Sequence, residues 1–203
     1  MKMRNRILGI YPKAIISHSG SVYLYIADFS QRTNKARGVE IHDSKPKSPD
    51  DNKDMDCIII NNEVKLSIDY HIFNDNQFKN VNDKDIEHCE LCVFPTINDP
   101  KSWIGFIEIK DCKVKNINDY KEKAKSQIIS TVSEFKAKGI VEKNNIYGII
   151  SFPRKKIDFN KTIFEDCTEY KNLYKIHRIH FFATNEVEVV DCLKLRPANR
   201  SLT

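Results

Sequence analysis

At 203 residues the chain has room for one folded unit or two small ones, and its 40% hydrophobic and 10% aromatic content is enough for a core. Charged residues at 30% with a mean hydropathy of -0.50 exclude a disordered chain, while a net charge of +5 permits contact with nucleic acid or another anionic surface without requiring it. Apolar runs such as Cys57-Ile58-Ile59-Ile60 fall far short of the roughly 20 residues of a membrane-crossing helix, and the apolar stretch after the basic start is too short for a signal-peptide core, so a cytoplasmic location with no membrane partner is expected.

In chain order, residues 14–16 and 21–26 flank His18-Ser19-Gly20, a spacing that predicts a β-hairpin. Residues 31–38 are polar and turn-like. Residues 43–55, rich in Asp, Lys and Pro, predict an exposed loop. It separates an N-terminal β elaboration at 1–42 from the remainder at 56–203, all within a single domain at 1–203. Residues 56–60 and 63–73 predict a second hairpin about the turn Asn61-Asn62. After a polar loop at 74–85, strands are predicted at 89–94 and 103–109, joined by Asn98-Asp99-Pro100-Lys101-Ser102.

Asn118 or Asp119 then caps a helix that runs to about Lys138 and stops at Gly139. Its apolar residues Tyr120, Ala124, Ile128, Val132 and Phe135 make one buried stripe. Residues 146–152 are almost wholly apolar and predict a strand covered on both faces. A helix over 162–174 and strands near 179–182 and 187–190 complete the chain. The middle thus reads as three antiparallel strands, a helix and a further strand. Such a crossover requires the last strand to run parallel to a neighbour, which gives an α/β fold with a mixed sheet. The six scattered glycines exclude a phosphate-cradling loop of the Walker or dinucleotide type.

The chemistry lies in one of nine acid-x-lysine patterns, which begin at Asp43, Asp51, Glu63, Asp99, Glu108, Asp111, Asp119, Glu134 and Glu169. Most fall in loops, at strand ends or on helix surfaces, where solvated charges need no explanation, and Glu63 adjoins a turn. Glu108 instead follows the apolar run Trp103-Ile104-Gly105-Phe106-Ile107, where a carboxylate is costly unless it is paired or liganded. A turn centred on Asp99 places Glu90 opposite Glu108, and opposed side chains share a face about 5 Å apart. Lys110, two residues along the strand, shares that face. Two carboxylates would repel each other, and a divalent, oxygen-seeking cation would relieve the repulsion. The same residues would also make an ordinary salt-bridge ladder, and a slip of one residue in register would present Cys89 or Leu91 instead.

This arrangement resembles the PD-(D/E)XK phosphodiesterase superfamily, which includes restriction endonucleases and RecB-like and Holliday-junction nucleases. Glu90 matches its first acid, Glu108 the second and Lys110 the lysine, with the helix and the strand at 146–152 following in the family order over residues 57–152. Three features depart from the pattern. The first acid is a Glu after Cys89 rather than an Asp after Pro, no acid-bearing helix is evident before the meander, and Thr131 stands where some members carry a tyrosine four residues after the helix glutamine, here Gln127.

The resemblance implies a restriction-endonuclease-like core with an N-terminal β-hairpin elaboration, hydrolysing nucleic acid, with DNA favoured over RNA. It implies Mg²⁺ or Mn²⁺ held by Glu90, Glu108 and the Ile109 carbonyl, with Glu90, Glu108, Lys110 and Gln127 in the catalytic set. Gln127 could equally be an ordinary exposed helix residue. Lys113, Lys115, Arg154, Lys155 and Lys156 would touch the phosphate backbone or simply be solvated at strand ends. A homodimer is plausible by analogy with members that cut both strands.

Other patterns carry less. His88-Cys89-x-x-Cys92 invites a zinc reading, but residues three apart on a strand point to opposite faces, and no second Cys-x-x-Cys exists. His177 and His180 are likewise expected on opposite faces of a strand. The six cysteines (Cys57, Cys89, Cys92, Cys112, Cys167 and Cys192) read as buried free thiols, and Trp103 as a core residue. The rival from another class is a non-catalytic nuclease-like module that binds nucleic acid or a protein partner. A structural domain with an accidental charge ladder is the third possibility.

Overall fold

The apolar runs of the chain become strands of two mixed β-sheets, and its one long amphipathic stretch becomes the helix packed on the larger of them. The computed structural model describes residues 1–30, 38–74, 76–79, 82–112, 116–155, 160–164 and 167–198. In chain order these hold α1 (Met3–Ile10), β1 (Ser17–Ser19), β2 (Tyr23–Asp28), β3 (Val39–His42), β4 (Ile58–Asn61), β5 (Ile68–Ile72), β6 (Leu91–Pro95) and β7 (Trp103–Ile109). There follow α2 (Ile117–Ala137), β8 (Asn145–Ser151), α3 (Asn160–Ile163), α4 (Cys167–His177), β9 (His180–Ala183), β10 (Glu186–Val189) and β11 (Leu195–Pro197). Among the described residues no helix is long and apolar enough to cross a membrane.

The larger sheet has the order β1-β5-β6-β7-β8-β9. β5, β6 and β7 form the antiparallel meander, and α2 carries the chain over to β8, which pairs parallel to β7 as the crossover requires. The smaller sheet, β11-β10-β4-β2-β3, gathers strands from both ends of the chain.

Strand alternation builds the layers. Cys92, Phe94, Ile104 and Phe106 face α2 and pack on its Ala124, Ile128, Val132 and Phe135. Leu91, Val93, Trp103, Ile107 and Ile109 point the other way and pack on Leu24, Ile26, Ile58, Ile60, Val187 and Val189 of the second sheet. Every residue of β6 and β7 is therefore buried, and the indole of Trp103 donates to the Asp191 carbonyl at 2.8 Å. Helix, sheet and sheet form three layers with β7 in the middle one.

Several expectations from local pattern are overturned. The segment around His18-Ser19-Gly20 is not a hairpin, because β1 joins β5 in the larger sheet and β2 joins β3 and β4 in the smaller. Nor is Asn61-Asn62 a hairpin turn. Asn62 is fully buried, its Nδ2 donates to the carbonyls of Ser21 and Leu66, and its Oδ1 accepts from the Leu66 amide. That side chain holds a crossing between the two sheets. Tyr120 is exposed rather than part of the buried stripe, which takes in Ile117, Lys125 and Thr131 instead. The α2 N-cap is Asn116, without a side-chain cap bond, so Asn118 and Asp119 lie inside the first turn.

Glu169, expected to be solvated, lies 2.5 Å from Nζ of the buried Lys125, which also pairs with Glu122 at 2.7 Å and so ties α4 to α2. His177 ends α4 rather than sharing a strand with His180. Cys57, Cys89 and Cys92 are buried free thiols, but Cys112 and Cys192 are only partly covered.

Parallel pairing of β8 leaves no room beside Gly148. A Cβ there would lie 2.8 Å and 2.9 Å from Phe181 ring atoms and 3.0 Å from Ile128 Cγ2, all in the core. Gly148→Ala is expected to destabilise the fold by roughly 1–3 kcal/mol through overpacking. Gly9→Ala, on α1 with nothing within 4 Å of the new methyl, should stabilise it by up to about 1 kcal/mol. Urea midpoints of the two variants measured side by side check the contrast.

Candidate metal centre

β6 and β7 pair Leu91 with Ile107, Cys92 with Phe106 and Val93 with Gly105. The ladder ends there: the Glu90 N–H donates to the Ile107 carbonyl at 3.1 Å, so Glu90 stands beside Leu91 against Ile107 rather than opposite Glu108, where the turn about Asp99 would place it. Glu108 occupies the penultimate position of β7, on the α2 side, and its side chain is wholly shielded from solvent. Its Oε1 lies 2.5 Å from Lys110 Nζ, and that ammonium and the Glu90 backbone are what favour its charged form. Burial pushes the carboxyl up to about 8, against the pull of the Lys110 ammonium and with a further push from the charge of Glu90. A buried carboxylate is held at a cost unless it is protonated or liganded.

Lys110 is fixed from the helix. Its Nζ donates to Gln127 Oε1 at 2.9 Å, and Gln127 Nε2 donates to the His88 carbonyl at 2.8 Å. Gln127 is therefore not an ordinary exposed helix residue, because its amide spans Lys110 on one side and the approach to β6 on the other. One turn further along α2, Thr131 Oγ1 accepts the Cys89 amide at 2.9 Å and donates to the Gln127 carbonyl at 2.8 Å. Glu90 reaches toward the end of the β2–β3 connection, where its Oε2 lies 3.7 Å from the position a Cβ on Gly38 would take. The Lys110 amide continues the parallel ladder by donating to the Ser151 carbonyl at 2.9 Å, which keeps the end of β7 in line with β8.

The basic residues divide. Arg154 forms a two-point pair with Asp111, through Nε at 2.5 Å and Nη2 at 2.7 Å, so neither charge is simply solvated. Lys155 Nζ donates to Thr162 Oγ1 at 3.0 Å. The turn that carries both is fastened by Asn185, whose Nδ2 donates to the carbonyls of Phe152 and Lys155 while its Oδ1 accepts from Ser151 Oγ. Lys113, Lys115 and Lys156 lie outside the described residues. Thr131 and Asn185 carried no signal in the sequence, since each acts through bonds to backbone groups distant along the chain.

Among the described residues no group of three or more His, Cys, Asp or Glu side chains could hold a metal. Glu90 is near enough for its charge to act on Glu108, and a magnesium-type ion, which keeps most of its water, takes one or two carboxylates. The observation behind that reading is the buried Glu108 carboxyl, whose burial Lys110 alone does not offset. A zinc site on Cys89 and Cys92 does not fit, because burial drives both thiols up and away from the thiolate that zinc requires. The two cysteines share the α2-side core rather than facing opposite ways, since the backbone bends at Glu90 and breaks the alternation.

The raised carboxyl has a thermodynamic signature. The folded chain keeps a proton on Glu108 that the unfolded chain releases near pH 4.5, so its contribution is complete below that pH and is lost as pH rises to about 8. In the presence of a chelator, stability measured by urea unfolding should fall over this window more steeply for the wild type than for Glu108→Gln. Parallel curves for the two proteins would contradict the assignment. Comparisons with protein-family models, with curated proteins and with solved structures find no match to this chain.

Proposed function

We propose that the chain is a Mg²⁺- or Mn²⁺-dependent nuclease with a restriction-endonuclease-like core, acting on DNA in preference to RNA. The observation that carries this reading is the buried Glu108 carboxylate, paired with Lys110 and near enough to Glu90 to feel its charge. The succession β5, β6, β7, α2 and parallel β8 supports the same core. α1 precedes the meander, as a helix does in many members of that superfamily, but it carries no acid.

Hydrolysis adds water across one P–O bond. The water oxygen attacks phosphorus, the far oxygen leaves with the bonding pair, one proton is taken from the water and one is given to the leaving oxygen. A divalent ion, if held by Glu90, Glu108 and the Ile109 carbonyl, would supply a more acidic bound water and a counter-charge to the phosphate. Ion binding requires Glu108 as the carboxylate, so its proton must leave first. Lys110 has three donors, of which one faces Glu108 and one Gln127, leaving one for the attacking water or a non-bridging phosphate oxygen. Gln127 keeps the ammonium from swinging away by holding it against a carbonyl-anchored amide. Lys155, on the turn after β8, would supply positive charge for the flanking backbone, whereas the charge of Arg154 is matched by Asp111.

Linear, supercoiled and single-stranded DNA and RNA should be incubated with the protein and Mg²⁺ or Mn²⁺. Cleavage by the wild type is expected, with Glu108→Ala inactive and Lys110→Ala slowed about 10²–10³-fold, the usual cost of losing one preorganised donor. Cleavage that survives both substitutions overturns the site. Absence of cleavage on every substrate, with nucleic-acid binding retained, would favour the non-catalytic module.

A further inference from the structure

The backbone is irregular where the site needs it most. In a regular antiparallel strand the amide and carbonyl of one residue face the same neighbour. Glu90 departs from this: its N–H donates to the Ile107 carbonyl on β7 at 3.1 Å, while its C=O accepts from the Phe73 N–H on the opposite side at 2.9 Å. The chain bends there, and β6 begins only at Leu91. The sheet ladder therefore does not by itself hold the segment that precedes β6. That segment is fully shielded at Cys89, so its N–H needs a partner from the protein.

We propose that Thr131 is the positioning residue of this centre, an inference that rests on the metal-site reading above. It is fully buried on α2, and its single hydroxyl does two things. The oxygen accepts the Cys89 amide at 2.9 Å, which pins the residue directly before Glu90. The proton goes to the Gln127 carbonyl at 2.8 Å, one helical turn back, at the residue whose side chain holds both the His88 carbonyl and Lys110. Thr131 and Gln127 thus form a clip across residues 88–89 from one face of one helix. The clip sets the bend that presents Glu90, and through Gln127 it sets Lys110 against Glu108. Neither Thr131 nor its hydroxyl touches the reacting atoms. Its part is to fix the backbone on which Glu90 stands and, through Gln127, the ammonium that faces Glu108.

The nearest alternative is a hydroxyl that merely satisfies helix and strand backbone. It predicts a loss of stability with no change at the metal. The test uses the full chain with Thr131→Val, which keeps the shape and removes the hydroxyl, and Thr131→Ser, which keeps the hydroxyl. Mn²⁺ affinity is read by titration, and exchange of the Cys89 amide by NMR, at a temperature where all proteins are folded. The proposal expects Thr131→Val to weaken Mn²⁺ binding about 10-fold or more, as loss of a supporting group around a metal site does. It also expects faster Cys89 exchange in that variant, with both properties restored in Thr131→Ser.

Thr131→Val with wild-type Mn²⁺ affinity overturns the proposal, and so does a Thr131→Ser variant as weak as Thr131→Val. If the wild type binds no Mn²⁺, the metal reading falls. The clip is then judged by amide exchange alone, where unchanged Cys89 protection in Thr131→Val overturns it too.

Discussion

A carboxylate buried at the end of a central strand is the constraint around which this protein is organised. Glu108 lies in the middle of three layers, with α2 over its face and the second sheet behind its strand. Water cannot solvate it, and the Lys110 ammonium alone does not offset the cost of its burial. The fold therefore keeps at one point an acid that favours its proton. An ordinary salt-bridge ladder at an exposed edge would look different, because both charges would be solvated and neither would need α2.

What makes that placement possible is the covering of both faces of β6, β7 and β8. The meander sets the bend at Glu90 beside the strand that carries Glu108, and the parallel crossover places α2 over that strand. Gln127 and Thr131 then reach down from the helix to the backbone that leads into β6. Beyond the strand ends, the Asp111–Arg154 pair and the Asn185 bonds hold a second piece of charged backbone beside the first. Few of these links are local in the chain. The centre thus depends on tertiary packing rather than on any one segment.

That distinction explains what could be read from residues alone. The strands at 103–109 and 145–151, the α2 helix and the pairing of 91–93 with 105–107 were legible because long apolar runs, a helical stripe ended by a positive-φ Gly139 and a short loop leave few alternatives. The expected step from there to Glu90 opposite Glu108 failed, because a bend at Glu90 leaves no mark in the alternation. The apparent hairpins about Gly20 and Asn62 misled because turn residues look alike whether they reverse a strand or pass it to another sheet. Only the buried amide of Asn62, bonded to Ser21 and Leu66, separates the two cases. β3 and β11 were too short to signal themselves. Glu108 was singled out by an acid standing in apolar sequence. Thr131 could not be, because a threonine on a helix gives no sign that its hydroxyl serves a backbone amide 42 residues earlier.

The central claim, that Glu108 surrenders a proton to make room for a cation, is tested most directly by calorimetric titration of Mn²⁺ near pH 7 in two buffers of different ionisation enthalpy. The account predicts binding accompanied by release of close to one proton per ion, with both binding and release lost in Glu108→Gln. Binding with no proton release, or equal binding by Glu108→Gln, would contradict it.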